Sequence, residues 1–82
     1  MNISVDISYY PLKEQFEQDI WDFIHAVKST AQLEVITNGM STQIFGDAAV
    51  LFPALNTAML NCLTNDRGIF VLKIGKGTLK LA

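Results

Sequence analysis

The residues best equipped for chemistry sit in one short run, Thr37-Asn38-Gly39-Met40-Ser41-Thr42. Ser41 and Thr42 carry hydroxyls that donate or accept hydrogen bonds, and Asn38 carries an amide that does both. Gly39 lets a ligand approach the backbone closely, and Met40 offers a polarizable sulfur that packs against flat rings. Such a set is chemically able to hold a molecule and lacks what is needed to transform one. Covalent or acid–base catalysis needs a nucleophile, a base and a group that orients the base, and the sequence brings these together nowhere. His25 is alone and is expected to face solvent. Cys62 is the one cysteine, which excludes an internal disulfide and a cysteine-based metal cluster. Glu14, Glu17, Asp19 and Asp22 have the spacing of a solvated helix surface, so no metal or cofactor is expected. Gly75-Lys76-Gly77-Thr78 has the flavour of a phosphate loop, but Gly follows the lysine where Ser or Thr is required.

Strands and helices must hold this run in place. Ile3, Val5, Ile7 and Tyr9 alternate with Ser4, Asp6, Ser8 and Tyr10, a period of two that predicts a two-faced strand ending at Pro11. Phe16, Ile20, Phe23, Ile24 and Val27 recur at helical spacing, with acids towards the N-terminal end, where the helix dipole favours them. Trp21 lies at the flank of that stripe. A second strand is predicted over residues 33–37, stopping at Asn38-Gly39, the sequence typical of a tight two-residue hairpin. A third follows at once over 41–45. Asp47 is placed to cap a helix over 48–64 carrying Leu51, Leu55, Ala58 and Cys62 on its apolar side. Pro53 would delete an internal hydrogen bond, so a kink is expected there, or a start nearer Phe52. Asn65-Asp66-Arg67-Gly68 is a turn, and Ile69 to Ile74 a nearly continuous apolar strand. Residues 76–82 form either a short extra strand or a mobile tail.

The order strand, helix, strand, strand, helix, strand predicts an α+β domain of ferredoxin-like plan, a four-stranded antiparallel sheet with both helices on one face. With 82 residues there is one domain. Half the residues are hydrophobic and 17% charged, fewer charges than the ~25% of an average soluble chain. No apolar run approaches the ~18 residues that cross a bilayer. A domain this small buries only about 60% of its unfolded surface, so some apolar side chains are expected in a subunit interface, and a homo-oligomer follows. Net charge is −2, with a sequence pI near 5.0, and no basic face for nucleic acid is evident. No secretory leader is seen at the N-terminus, which makes the cytoplasm the simplest compartment.

Tyr10-Pro11-Leu12 after the first strand, Asn38-Gly39-Met40-Ser41-Thr42, and Gly46-Asp47 before the second helix resemble the YkoF-type group of thiamine and hydroxymethylpyrimidine binders, over roughly residues 3–74. The resemblance implies a ferredoxin-like domain that binds the pyrimidine part of thiamine, working as a homodimer or homotetramer built by sheet-to-sheet packing, in thiamine salvage or transport. An aminopyrimidine is flat, with ring nitrogens that accept hydrogen bonds and an amine that donates them, so its site needs a stacking wall and a few fixed polar groups. Asn38, Met40, Ser41 and Thr42 supply polar contacts and a sulfur. Tyr9, Tyr10 and Phe45 are the candidates for stacking, and Asp6 for balancing the thiazolium charge or accepting from the amine. The bland reading of each is structural: hairpin chemistry for Asn38-Gly39, strand-edge hydroxyls for Ser41 and Thr42, core packing for Tyr9. Two other functions compete: an oligomeric regulatory or scaffolding module that binds another small metabolite, and an RNA binder of the same topology, disfavoured by Asp6 on the sheet.

Overall fold

The computed structural model describes residues 1–80; Leu81 and Ala82, the end of the expected tail, lie outside the described residues. The alternation of the first strand becomes two faces of a sheet. β1 (Asn2–Pro11) turns Ile3, Val5 and Ile7 into the core, none more than 4% exposed, with Tyr9 packed against the same cluster. α1 (Glu17–Lys28) lays Phe23, Ile24 and Val27 onto that face. β2 (Glu34–Thr37) and β3 (Thr42–Asp47) follow, then α2 (Ala48–Asn65), which adds Leu51, Leu55 and Ala58 to the core, and β4 (Gly68–Lys76). The strand order is β2-β3-β1-β4 with every neighbouring pair antiparallel. This is the ferredoxin-like plan expected, with both helices on one face of the sheet.

Two local features depart from expectation, the hairpin and the segment after β4. Asn38-Gly39 does not form a two-residue turn. Thr37 pairs with Thr42, leaving a four-residue loop, and among the described residues only Gly77 has positive φ, whereas a type I′ turn needs it at both central positions. The loop is closed instead by Asn38, whose Oδ1 accepts from the backbone N–H of Met40 at 2.8 Å and of Ser41 at 3.1 Å, while its own N–H donates to the Ser41 carbonyl at 3.1 Å. α2 begins at Ala48, as the predicted span with Asp47 as its cap requires, and not at the alternative start near Phe52 that Pro53 suggested. Asp47 caps it, its Oδ2 accepting from Ala49 N–H at 3.0 Å while Oδ1 lies 2.9 Å from the N-terminal ammonium. The buried Leu51, Leu55 and Ala58 carry the helix through Pro53 as one element.

The segment after β4 is neither a further strand nor a free tail over its described part. Gly77, at φ +86°, donates its N–H to the Asn2 carbonyl, and the Ser4 hydroxyl donates to the Gly77 carbonyl and accepts from Leu79 N–H, both at 2.7 Å. Lys80 reaches Glu34 on β2 at 2.6 Å. The chain thus crosses the helix-free face and buries Ser4 and Phe45 there. Beyond this strap the same face leaves Tyr10, Ile69 and Val71 about half exposed.

Candidate functional site

β1 outruns β3. Pairing between them ends at Ile7 and Thr42, yet β1 continues through Pro11 with only β4 beside it. The vacated place is a cleft of about 410 Å³, within the ~300–1,000 Å³ typical of small-molecule sites. Its helix-side wall is apolar, built by Phe16, Ile20, Phe23 and Ile24 with Ile7 and Tyr9; its other wall is the polar loop from Thr37 to Thr42. The helix residues were legible only as a core stripe. Phe16 and Ile20 serve both ends, because the stripe extends past the sheet area that β3 covers.

The cleft brings together Tyr9, Tyr10, Asn38, Met40, Ser41 and Thr42, but not with their polar groups equally free. The Thr37 and Thr42 hydroxyls bond each other at 2.5 Å, fixing the mouth of the hairpin. Asn38 spends its carbonyl oxygen on the loop, so its amide N–H₂ is what remains for a ligand. The Ser41 hydroxyl donates to Asp6 Oδ1 at 2.7 Å. Met40 stands 86% exposed at the rim.

Two expected residues lie elsewhere. Asp6 pairs with Gln43 and Lys73 on the helix-free face, opposite in strand parity to Tyr9, and acts on the cleft only through Ser41. Phe45 is on that face too, beneath Lys80, whose Nζ is 5.9 Å from the ring centroid. Neither lines the cleft, so Phe45 is not its stacking wall.

Tyr9 is held firmly. Its ring stacks on Phe70 at 4.3 Å and 8°, with Phe23 tilted at 5.8 Å. Burial, then the neighbouring Cys62 thiol, push its phenol up to about 12; burial likewise raises Cys62. The phenol faces a second cleft of about 220 Å³ with Asp19, Asp22, Asn61 and Cys62. Asp19 is not the solvated carboxylate expected from helix spacing: Lys13 lies 2.7 Å from it and 3.1 Å from Asp66, tying the β1–α1 loop to the end of α2. His25 is exposed as expected, its ring 6.0 Å from Trp21. Among the described residues no three His, Cys, Asp or Glu side chains are grouped to hold a metal, and no helix is long and apolar enough to cross a membrane.

No protein-family model and no curated protein matches this chain. Solved structures do. A hypothetical protein of Methanocaldococcus jannascii is 26% identical, with TM-score 0.79 over 98% of this chain and 84% of its own. A Streptococcus pneumoniae protein is 20% identical, with TM-score 0.81 over 96% and 90%. A Thermotoga maritima protein, provisionally assigned to thiamine biosynthesis or salvage, is 15% identical, with TM-score 0.82 over 94% and 85%. What the chain shares with these proteins is the fold, the ferredoxin-like α+β plan.

Proposed function

We propose that the chain binds thiamine or its hydroxymethylpyrimidine part, without transforming it, in the cleft between α1 and the Thr37–Thr42 loop, as a component of thiamine salvage or transport. The observation that carries this reading is the cleft itself, with an aromatic and aliphatic wall on one side and hydrogen-bonding groups on the other. That division suits a flat ring with a polar rim. The hydroxyls of the loop favour binding over catalysis, since Thr37 and Thr42 are bonded to each other and Ser41 to Asp6, with no third group to orient a base and nucleophile together. The resemblance of the Asn38–Thr42 run to thiamine binders supports the choice of ligand, and so does the provisional assignment of the Thermotoga maritima protein that shares the fold.

Thermal unfolding with thiamine and with 4-amino-5-hydroxymethyl-2-methylpyrimidine tests the proposal. At a hundredfold excess over the dissociation constant one ligand adds ~2.7 kcal/mol, a rise on the order of 10 °C for a domain of this size. Phe16→Ala, which removes the half-exposed wall, should weaken binding by about tenfold. Absence of a shift with either compound refutes the reading. The exposed Tyr10, Ile69 and Val71 favour the companion proposal of a homodimer or homotetramer packed through the helix-free face. Sedimentation of the wild type as a monomer at all accessible concentrations would sink it.

A further inference from the structure

Within an antiparallel ladder each residue directs its N–H and C=O to the same neighbouring strand, and successive residues alternate between neighbours. β1 is anchored at both ends on this rule. Gly77 N–H donates to the Asn2 carbonyl and Leu12 N–H to that of Arg67, both on the β4 side, and the unbroken register between them gives every even-numbered residue of β1 to β4. Ala48 N–H donates to the Met1 carbonyl on the β3 side, which gives Ile3, Val5 and Ile7 to β3. Tyr9 is next in that series. The residue in register to meet it, Met40, has left the ladder: its N–H is taken by Asn38 Oδ1 and its carbonyl by the Ser8 hydroxyl. Pairing with β3 stops at Ile7, and among the described residues no bond outside the ladders reaches the Tyr9 N–H or C=O; strand parity turns both to the side of the cleft that Tyr9 lines.

We infer that this bare main-chain pair of Tyr9 reads the edge of a 4-aminopyrimidine, its N–H donating to the ring nitrogen beside the amine and its C=O accepting from the amine. The inference rests on the binding proposed above and names the contact that selects the ring. A donor and an acceptor side by side match the neighbouring acceptor and donor of an aminopyrimidine, so one residue satisfies two ligand groups. A peptide strand is the poorer occupant. Pro11, the following odd-numbered residue, has no N–H, and a third strand segment docking here would gain one rung and then stop. The ring instead continues the plane of the sheet for one residue, with Phe16 and Ile20 over one surface and Met40 at the other.

Amide hydrogen exchange by NMR on the free and ligand-saturated chain tests this, with two probes: 4-amino-5-hydroxymethyl-2-methylpyrimidine and 2-amino-4-methylbenzyl alcohol, which keeps the amine, the methyl and the shape but lacks the ring nitrogens. In the free chain the Tyr9 amide should exchange far faster than those of Val5 and Ile7. The pyrimidine should slow it by about tenfold or more beyond any slowing of Val5 and Ile7, and the carbocycle should bind about tenfold more weakly, because it leaves the N–H desolvated and unpaired. A Tyr9 amide already protected in the free chain overturns the inference, as does a pyrimidine that binds without protecting it or no more tightly than the carbocycle. Those results leave the binding proposal standing. Failure of the pyrimidine to bind at all overturns both.

Discussion

Replacing Gly39 by alanine distinguishes the loop seen here from the hairpin that its sequence suggests. In a two-residue type I′ turn Gly39 would occupy the left-handed region, where a side chain costs roughly 1–2 kcal/mol. Thr37 would then face Met40 rather than Thr42, shifting the β2–β3 register by two residues and removing the loop that walls the cleft. In the structure Gly39 is outside the left-handed region, and a Cβ built on it meets nothing within 4 Å. Alanine there should instead stabilise the fold by ~0.4–1 kcal/mol, by narrowing the conformations open to the unfolded chain. The two geometries therefore predict opposite signs, separated by roughly 1.5–3 kcal/mol. Urea unfolding resolves this easily: with a slope of ~1–3 kcal/mol/M, Gly39→Ala should raise the midpoint by a few tenths molar with the slope unchanged. A fall in the midpoint worth about 1 kcal/mol or more would mean a left-handed Gly39, a two-residue turn and no vacated place beside Tyr9.

Gly68→Ala should do the reverse. Its Cβ would come 2.9 Å from Tyr9 Cε1 and 3.5 Å from the Tyr10 carbonyl, so the stacked Tyr9 ring must move towards the cleft, at a cost of ~1–3 kcal/mol and with a changed near-ultraviolet circular dichroism. Tyr9 should also report its burial directly. Because its folded pKa is raised from 10.0 to about 12, the native state holds this proton more tightly than the unfolded chain does. The associated stability is fully present below pH 10 and is lost as pH climbs towards 12. Phenolate absorbance in Tyr9→Phe and wild type isolates the group, and a native Tyr9 that ionises near 10 would show that its ring is solvated.

The large-scale plan was legible because burial imposes periods that survive folding. Ile3, Val5, Ile7 and Tyr9 at period two, and Phe23, Ile24 and Val27 at helical spacing, become the core with no change of face. The same parity carries information that reading residue types one by one misses. Asp6 differs in parity from Tyr9, so the two cannot share a surface of a regular strand. Phe45 was harder, because Ile44 and Phe45 are adjacent apolar residues, and their faces are decided by pairing with Val5 and Ser4 respectively. The loop escaped for a physical reason as well. Asn38-Gly39 is compatible with a tight turn, but the longer loop lets Asn38 satisfy two backbone N–H groups, seats Thr37 against Thr42, and brings Val35 opposite Ile44, which is fully buried.

Residue type also misdirects the search for the site. Hydroxyls and amides drew attention to Ser41, Thr42 and Asn38, yet most of their hydrogen-bonding capacity is consumed in shaping the loop. Besides the Asn38 amide N–H₂, the groups that the cleft leaves unpaired among the described residues are main-chain atoms of Tyr9, whose side chain faces inward and is committed to Phe70 and Phe23. A main-chain donor and acceptor belong to every residue but proline, so no composition or spacing rule marks them. They are exposed by a difference in strand length, with β1 ten residues long and β3 six. Two sequence cues set that difference: Pro11, which prevents β1 from being extended as a full ladder on this side, and the Asn38 side chain, which draws Met40 out of register. Substituting Asn38 should therefore affect the cleft more through the position of Met40 than through loss of an amide, since a Met40 returned to the ladder would pair with Tyr9 and close the notch from within.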